Sequence, residues 1–218
     1  MHIAAIIAGV LSVLVTIWLT ARRYEKNRTA ELQTVADEMG ILFTPHGDPS
    51  LQQSLRALPL FNQGRGRKIK NLMRGTTEEL DLAIFGYQFT TGHGKHQTTH
   101  TQTVVSFQSP QLSLPDFTLS PENLFHKIGQ KMGYQDIDFE SHPKFSADYL
   151  LRGSNESRIR ELMRPEILDY LESQQKLCVQ ASANRLIVFR SRKRVKAAEI
   201  RDFMEDGFGI YRLLSVTV

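Results

Sequence analysis

The constraint that acts on this chain before any other is its first apolar run. Ile3 to Thr20 reads IAAIIAGVLSVLVTIWLT, carries no formal charge, and has polar side chains only at Ser12, Thr16 and Thr20. As a helix rising 1.5 Å per residue, such a segment spans roughly 27–30 Å, about the thickness of a bilayer's hydrocarbon core. Its apolar residues lie on every side of the helix, whereas a soluble amphipathic helix confines them to one stripe. A cleavable signal would need a basic n-region and a small-x-small cleavage site. Met1 and His2 supply no fixed side-chain charge, and no Ala-x-Ala follows. The run predicts one membrane-spanning anchor over residues 1–21.

The flanks predict its orientation. Arg22, Arg23, Lys26 and Arg28 follow the span, with only Glu25 among them. Positive flanks stay on the cytoplasmic side. The expected location is the cell inner membrane, single-pass, with the N-terminus outside and the C-terminal domain in the cytoplasm. Trp18 and Tyr24 suit an interfacial aromatic belt. The single cysteine, Cys178, shows no need of an oxidising compartment.

What remains is long enough for a domain with a proper core. Its charge is uneven. Residues 1–75 hold ten Lys and Arg against five Asp and Glu, so the +4 formal excess of the chain sits next to the anchor. A nucleic-acid binder would carry a basic face on its folded domain. An excess beside the anchor instead suits anionic lipid headgroups, at about 1 kcal/mol per basic residue near the surface. Arg22, Arg23, Lys26, Arg28, Arg65, Arg67 and Lys68 are the expected membrane-surface residues.

A juxtamembrane helical region is expected over 22–59 and an α+β domain over 60–218. Leu32, Val35, Ala36 and Met39 continue a helix that Gly40 ends. Ile41–Phe43 reads as a short strand. Ser50 is placed to cap a helix from Leu51 to Leu58. Strands are expected at 69–74, 80–90, 99–108 and 114–119, with TTGHGKHQTTH joining the second and third as a hairpin. Leu80, Leu82 and Ile84 share one face of their strand; Phe85, Tyr87 and Phe89 share the other, the pattern of a covered central strand. Ser120-Pro121-Glu122 reads as a helix start, with the helix running to Met132. An extended stretch holds Ile137 and Phe139, and another strand is expected from Phe145 to Leu151. Helices follow at 156–163 and 165–174, then a hairpin of 177–181 and 186–190, then a last helix that Gly207 and Gly209 would kink or break.

Several of these segments are familiar in their order. Phe85-Gly86-Tyr87-Gln88-Phe89-Thr90-Thr91-Gly92, Gln102-Thr103-Val104-Val105, Leu114-Pro115-Asp116-Phe117, Gly133-Tyr134-Gln135-Asp136-Ile137-Asp138-Phe139 and Tyr149-Leu150-Leu151-Arg152-Gly153 resemble a widespread group of uncharacterised bacterial proteins with an N-terminal membrane helix. The resemblance implies a bacterial membrane setting and a single domain. It carries over no catalytic residue, ligand or partner.

Chemistry-bearing patterns are sparse. Gly64 and Gly66 sit in a basic loop, but no GxxxxGK[ST] and no helix-opening GxGxxG is present. There is no GxSxG elbow for a serine nucleophile. Cys178 lies between Leu177 and Val179, as a small buried residue would. His93, His96 and His100 cluster in the hairpin connection and are good zinc ligand types, although a solvated turn explains them equally. Asp136, Asp138, Glu140 and His142 would share one face if 136–142 were a strand, and hard cations favour oxygen clusters. The competing account is the wet side of that strand. Arg190-Ser191-Arg192-Lys193-Arg194-Val195-Lys196 is the densest basic run; no aromatics interleave with it, which weighs against single-stranded nucleic acid.

The sequence thus predicts an α+β fold: a mainly antiparallel sheet packed by helices, tethered by one transmembrane helix. It points to a non-enzymatic cytoplasmic module that needs no cofactor and binds a membrane-protein partner or the membrane surface. A membrane-tethered metal-dependent enzyme and a nucleic-acid binder are the alternatives.

Overall fold

A computed structural model of the chain describes residues 2–124, 135–174 and 176–215, and the side chains of 2–8, 10 and 124 lie outside the description. Helix α1 runs unbroken from His2 to Glu38. At 1.5 Å per residue it is a rod about 55 Å long. Leu11, Val13, Leu14, Val15, Ile17, Trp18 and Leu19 are exposed all round its first half. Its second half turns Leu32 and Ala36 into the core. Among the described residues no helix is long and apolar enough to cross a membrane.

The domain is built on one sheet. Strands β1 (Leu42–His46), β2 (Arg65–Thr76), β3 (Asp81–Thr91), β4 (Thr98–Gln108), β5 (Leu114–Pro121), β6 (Tyr149–Gly153), β7 (Cys178–Ala183) and β8 (Arg185–Phe189) form an eight-stranded sheet in the order β1-β2-β3-β4-β8-β7-β5-β6. Each neighbouring pair is antiparallel. The α+β class and the antiparallel sheet agree with the sequence pattern. The boundary expected at residue 60 has no counterpart in the packing, because β1 is an edge strand of the sheet and α1 supplies core residues.

Both faces of the central strands are covered, as the two apolar faces of β3 require. On one face Leu82, Ile84, Val105 and Phe107 pack under α1, α4 (Glu156–Leu162), α5 (Pro165–Ser173) and α6 (Ile200–Ser215). On the other, Phe85, Tyr87 and Phe89 meet Leu51, Leu55, Leu58, Leu60 and Phe61 from α2 (Pro49–Ser54) and the 3-10 turns after it. Asp48, not Ser50, caps α2, its side chain accepting from the Ser50 N–H at 2.8 Å.

Three local expectations differ from the structure. Residues 143–148 form a short helix, α3 (Pro143–Asp148), before β6 starts at Tyr149; Pro143 at its first turn favours it. Pro121 is the last residue of β5, paired with Tyr149, and a 3-10 turn, Glu122–Leu124, follows it, so the helical conformation starts after Pro121 rather than at it. The rest of that expected helix, 125–132, lies outside the described residues, as do Gly133 and Tyr134. Gly207 and Gly209 neither kink nor break α6. A Cβ on Gly207 would stand 3.0 Å from Phe107 Cε2, and one on Gly209 would collide with the Tyr170 hydroxyl. They are glycine so that the helix can lie close to its neighbours.

Gly153, at the end of β6, is tighter still: a Cβ there would overlap Ile159 Cδ1 and the Asp116 carbonyl oxygen. Gly153→Ala therefore forces backbone to move. It should lower unfolding stability by about 1–3 kcal/mol, the range for overpacked sites, read as a shift in urea midpoint at unchanged slope.

Candidate functional site

A polar cleft lies where the second half of α1 crosses the sheet. It encloses about 220 Å³ and is lined by Glu25, Arg28, Leu32, Lys70, Asn71 and Met73, among others. A β-bulge helps to form it. The β2–β3 register shifts between Lys70 and Met73, and Asn71 takes a left-handed φ of 51°, a conformation asparagine tolerates better than most residues. The bulge aims Asn71 at the helix, where its Oδ1 accepts from Thr29 Oγ1 at 3.0 Å.

The helix is held from its other side by the basic run 190–196. Arg194 grips Glu25 with both terminal nitrogens, at 2.5 and 2.9 Å, and its guanidinium lies over the Tyr24 ring at 5.9 Å. Arg28 is only 7% exposed, and its Nη2 donates to the Val195 carbonyl at 2.8 Å. The loop is bound to β4 in turn. The Val195 N–H donates to Thr103 Oγ1 at 2.9 Å, the Arg192 N–H to Gln102 Oε1 at 3.0 Å, and the Thr103 N–H to the Lys193 carbonyl at 3.1 Å. Arg190 pairs with Asp206 at 2.9 Å and lies over Phe203. The run that reads as a solvated turn or a contact for an outside partner is in large part the clasp of α1.

This geometry corrects one surface assignment. Arg28 faces inward and braces Val195. Arg22, Arg23 and Lys26 are exposed, and Arg22 stacks on Trp18 at 5.2 Å. Arg65 donates to the Gly92 carbonyl at 2.6 Å and to Gln97 Oε1 at 2.8 Å. Arg67 donates to the carbonyls of Gln63, Asn62 and Gly64. Both thus fix turns while staying exposed, as Lys68 does. Their position follows from how α1 lies against β2. Ile41 packs at Gly75, Thr29 bonds Asn71, and Glu25 feels the charge of Lys70. Moving up α1 toward its apolar half is therefore moving down β2 toward Arg65. Arg65, Arg67, Lys68 and the β3–β4 turn share one end of the domain with the apolar half of α1.

The metal candidates are dispersed. His100 is buried in β4, bonded through Nε2 to Thr91 Oγ1 at 2.7 Å and packed 5.0 Å from the Phe89 ring; burial lowers its pKa, with Arg192 adding to the effect. His93 and His96 stay exposed in the turn. Residues 136–140 are not a strand, so alternation does not bring their carboxylates together. Asp136 Oδ1 accepts the N–H groups of Ile137 and Leu151, both at 3.0 Å, and burial pushes its pKa up. Glu140 and Asp138 are exposed, and His142 faces Asp169 at 3.3 Å. Among the described residues no three His, Cys, Asp or Glu side chains are grouped to hold a metal. Burial raises the Cys178 thiol to about 12, which leaves it protonated and a poor nucleophile at neutral pH.

No protein-family model matches this sequence, and no curated protein matches it either. Among solved structures, the crystal structure of the mycobacterial trehalose monomycolate transport factor A, TtfA, is similar in fold. The TM-score is 0.62 at 10% identity, over 85% of this chain and 95% of that one. At that identity the likeness shows a shared fold.

The clasp has a pH signature. The Arg194 hydrogen bonds hold the Glu25 carboxyl below its ordinary 4.5. A carboxylate with a lower pKa folded than unfolded stabilises the fold above its unfolded value and loses that contribution as pH falls through the folded one. Glu25→Gln should cost about 0.5–1 kcal/mol at pH 7, as for a partly exposed ion pair. The difference from the parent chain should shrink as pH falls through the lowered pKa that Glu25 has in the folded state. Thermal unfolding of both chains across an acid pH series measures it.

Proposed function

We propose that this chain is a non-enzymatic accessory module, held at the inner membrane by α1, whose cytoplasmic domain works at the membrane surface or on a membrane-protein partner. One observation carries the reading: α1 is a single rod whose first half exposes large apolar residues on every side while its second half is clasped into the domain by Arg28 and Glu25. Seven such residues in water would be a costly patch for a soluble monomer; a bilayer removes the cost. A rigid, clasped helix also sets the distance between the bilayer and the sheet. About ten residues, or roughly 15 Å, separate Trp18 from Arg28, which leaves the basic end with Arg65, Arg67 and Lys68 turned toward the headgroups. The fold is shared with a transport factor, which fits a non-enzymatic role of this kind.

Full-length chain should stay with membranes after alkaline carbonate extraction, and protease added from the outer side should leave the domain intact. Replacing Arg22, Arg23 and Lys26 together by Glu should disturb orientation and expose part of the population to that protease. Arg28 is left out of the set because its loss would break the clasp. Release by carbonate, or an unchanged protection pattern in the triple variant, would count against the anchor and its orientation.

A further inference from the structure

The cleft under α1 gathers more positive charge than the domain neutralises. Arg28 is more than nine-tenths buried, yet no carboxylate pairs with it: the nearest acid, Glu25, is occupied by both arms of Arg194. Apart from the bond from Nη2 to Val195, the N–H groups of Arg28 find no acceptor among the described residues. Arg194 sits close enough to disfavour its charge further, and Lys70 lines the same cleft from β2, exposed at its mouth. Three cations thus line a half-open cleft in which Glu25 is the one acid among the described lining residues. A buried guanidinium without a counter-charge is expensive, and an anion bound there removes the cost. The floor is apolar, formed in part by Leu32, Met73 and Ile200, so the space suits an anionic group with organic matter attached. A volume of 220 Å³ admits a single headgroup and excludes a nucleic-acid duplex.

We propose that this cleft is a binding site for a phosphate ester, with Arg28 and Lys70 as its cationic ligands and Arg194 beside them, held by Glu25. The Arg28 N–H groups that Val195 does not take can donate to phosphate oxygens, and a lysine at the mouth adds a mobile point charge. The same chemistry is offered by an anionic phospholipid headgroup and by a soluble phosphate ester. The lipid source rests on the membrane reading above; the site itself does not.

The test is calorimetric titration of the full-length chain in neutral detergent with dihexanoyl phosphatidic acid, glycerol 3-phosphate and, as a zwitterionic control, dihexanoyl phosphatidylcholine. Saturable 1:1 binding of an anionic probe, with the zwitterion weaker, is expected. Lys70→Glu reverses an exposed charge at the mouth and should weaken binding about tenfold. Lys144→Glu, exposed on α3 and outside the cleft, should leave it unchanged. Binding of phosphatidic acid without glycerol 3-phosphate assigns the site to a lipid, and binding of both assigns it to the phosphate ester itself. Absence of saturable binding by either anionic probe, equal affinity in Lys70→Glu, or equal losses in the two lysine variants overturns the site. A chain released from membranes by carbonate that still binds glycerol 3-phosphate keeps the site and loses the anchor.

Discussion

The clasp of α1 is the contact on which the position of the long helix relative to the sheet depends. A long helix leaving a domain has one natural failing, which is that it can swing. Here the swing is stopped by three polar contacts on two sides: Thr29 to Asn71 of β2, and Arg28 to Val195 with Glu25 to Arg194 of the loop before α6. Below them, Leu32 and Ala36 add apolar packing. The loop 190–195 transmits the restraint to β4 through Gln102 and Thr103, so the helix is joined to the middle of the sheet as well as to its edge. Burying Arg28 is the cost of this arrangement, and Arg28 lines the cleft that opens beside the clasp.

The chemistry is concentrated at this junction, and the rest of the fold supports it. The segments that resemble other bacterial proteins fall largely on strands. Phe85, Tyr87 and Phe89 fill one face of β3, Val104 and Val105 split between the two faces of β4, and Gly153 lets β6 lie against α4. Their side chains are used up in packing, which explains why motif reading found order in them and no reaction. A sheet covered on both faces is stiff, and the cleft and the clasp of α1 are built on it.

Much of the fold was legible. The alternation along 80–90 identified a strand with two apolar faces, and both faces are covered. The helices expected at 156–163 and 165–174 are α4 and α5, with Asn155 capping the first and Pro165 in the first turn of the second. What was not legible has a physical cause in each case. Phe145 recurs in a pattern suited to either a strand or one helical turn, and the tertiary setting around α5 chose the turn. Gly207 and Gly209 look like breakers in isolation; their purpose is the approach of Phe107 and Tyr170, which no local rule contains. Alternation of Asp136, Asp138, Glu140 and His142 presupposed a strand that does not form, because Asp136 spends its carboxylate on the backbone of β6.

By itself the sequence determined the local pattern of this chain: an apolar helical run, a basic flank and an α+β domain whose strands alternate. Those are local properties, set by composition and period over a few residues. Only the tertiary structure decided which basic residues are free. Arg28 and Arg194 look like their neighbours Lys26 and Lys193 in the sequence, and 166 positions separate them. Folding brings them to one cleft, takes Glu25 for one and leaves the other without a carboxylate. Charge is written in the sequence, but its neutralisation depends on distance, and distance belongs to the fold.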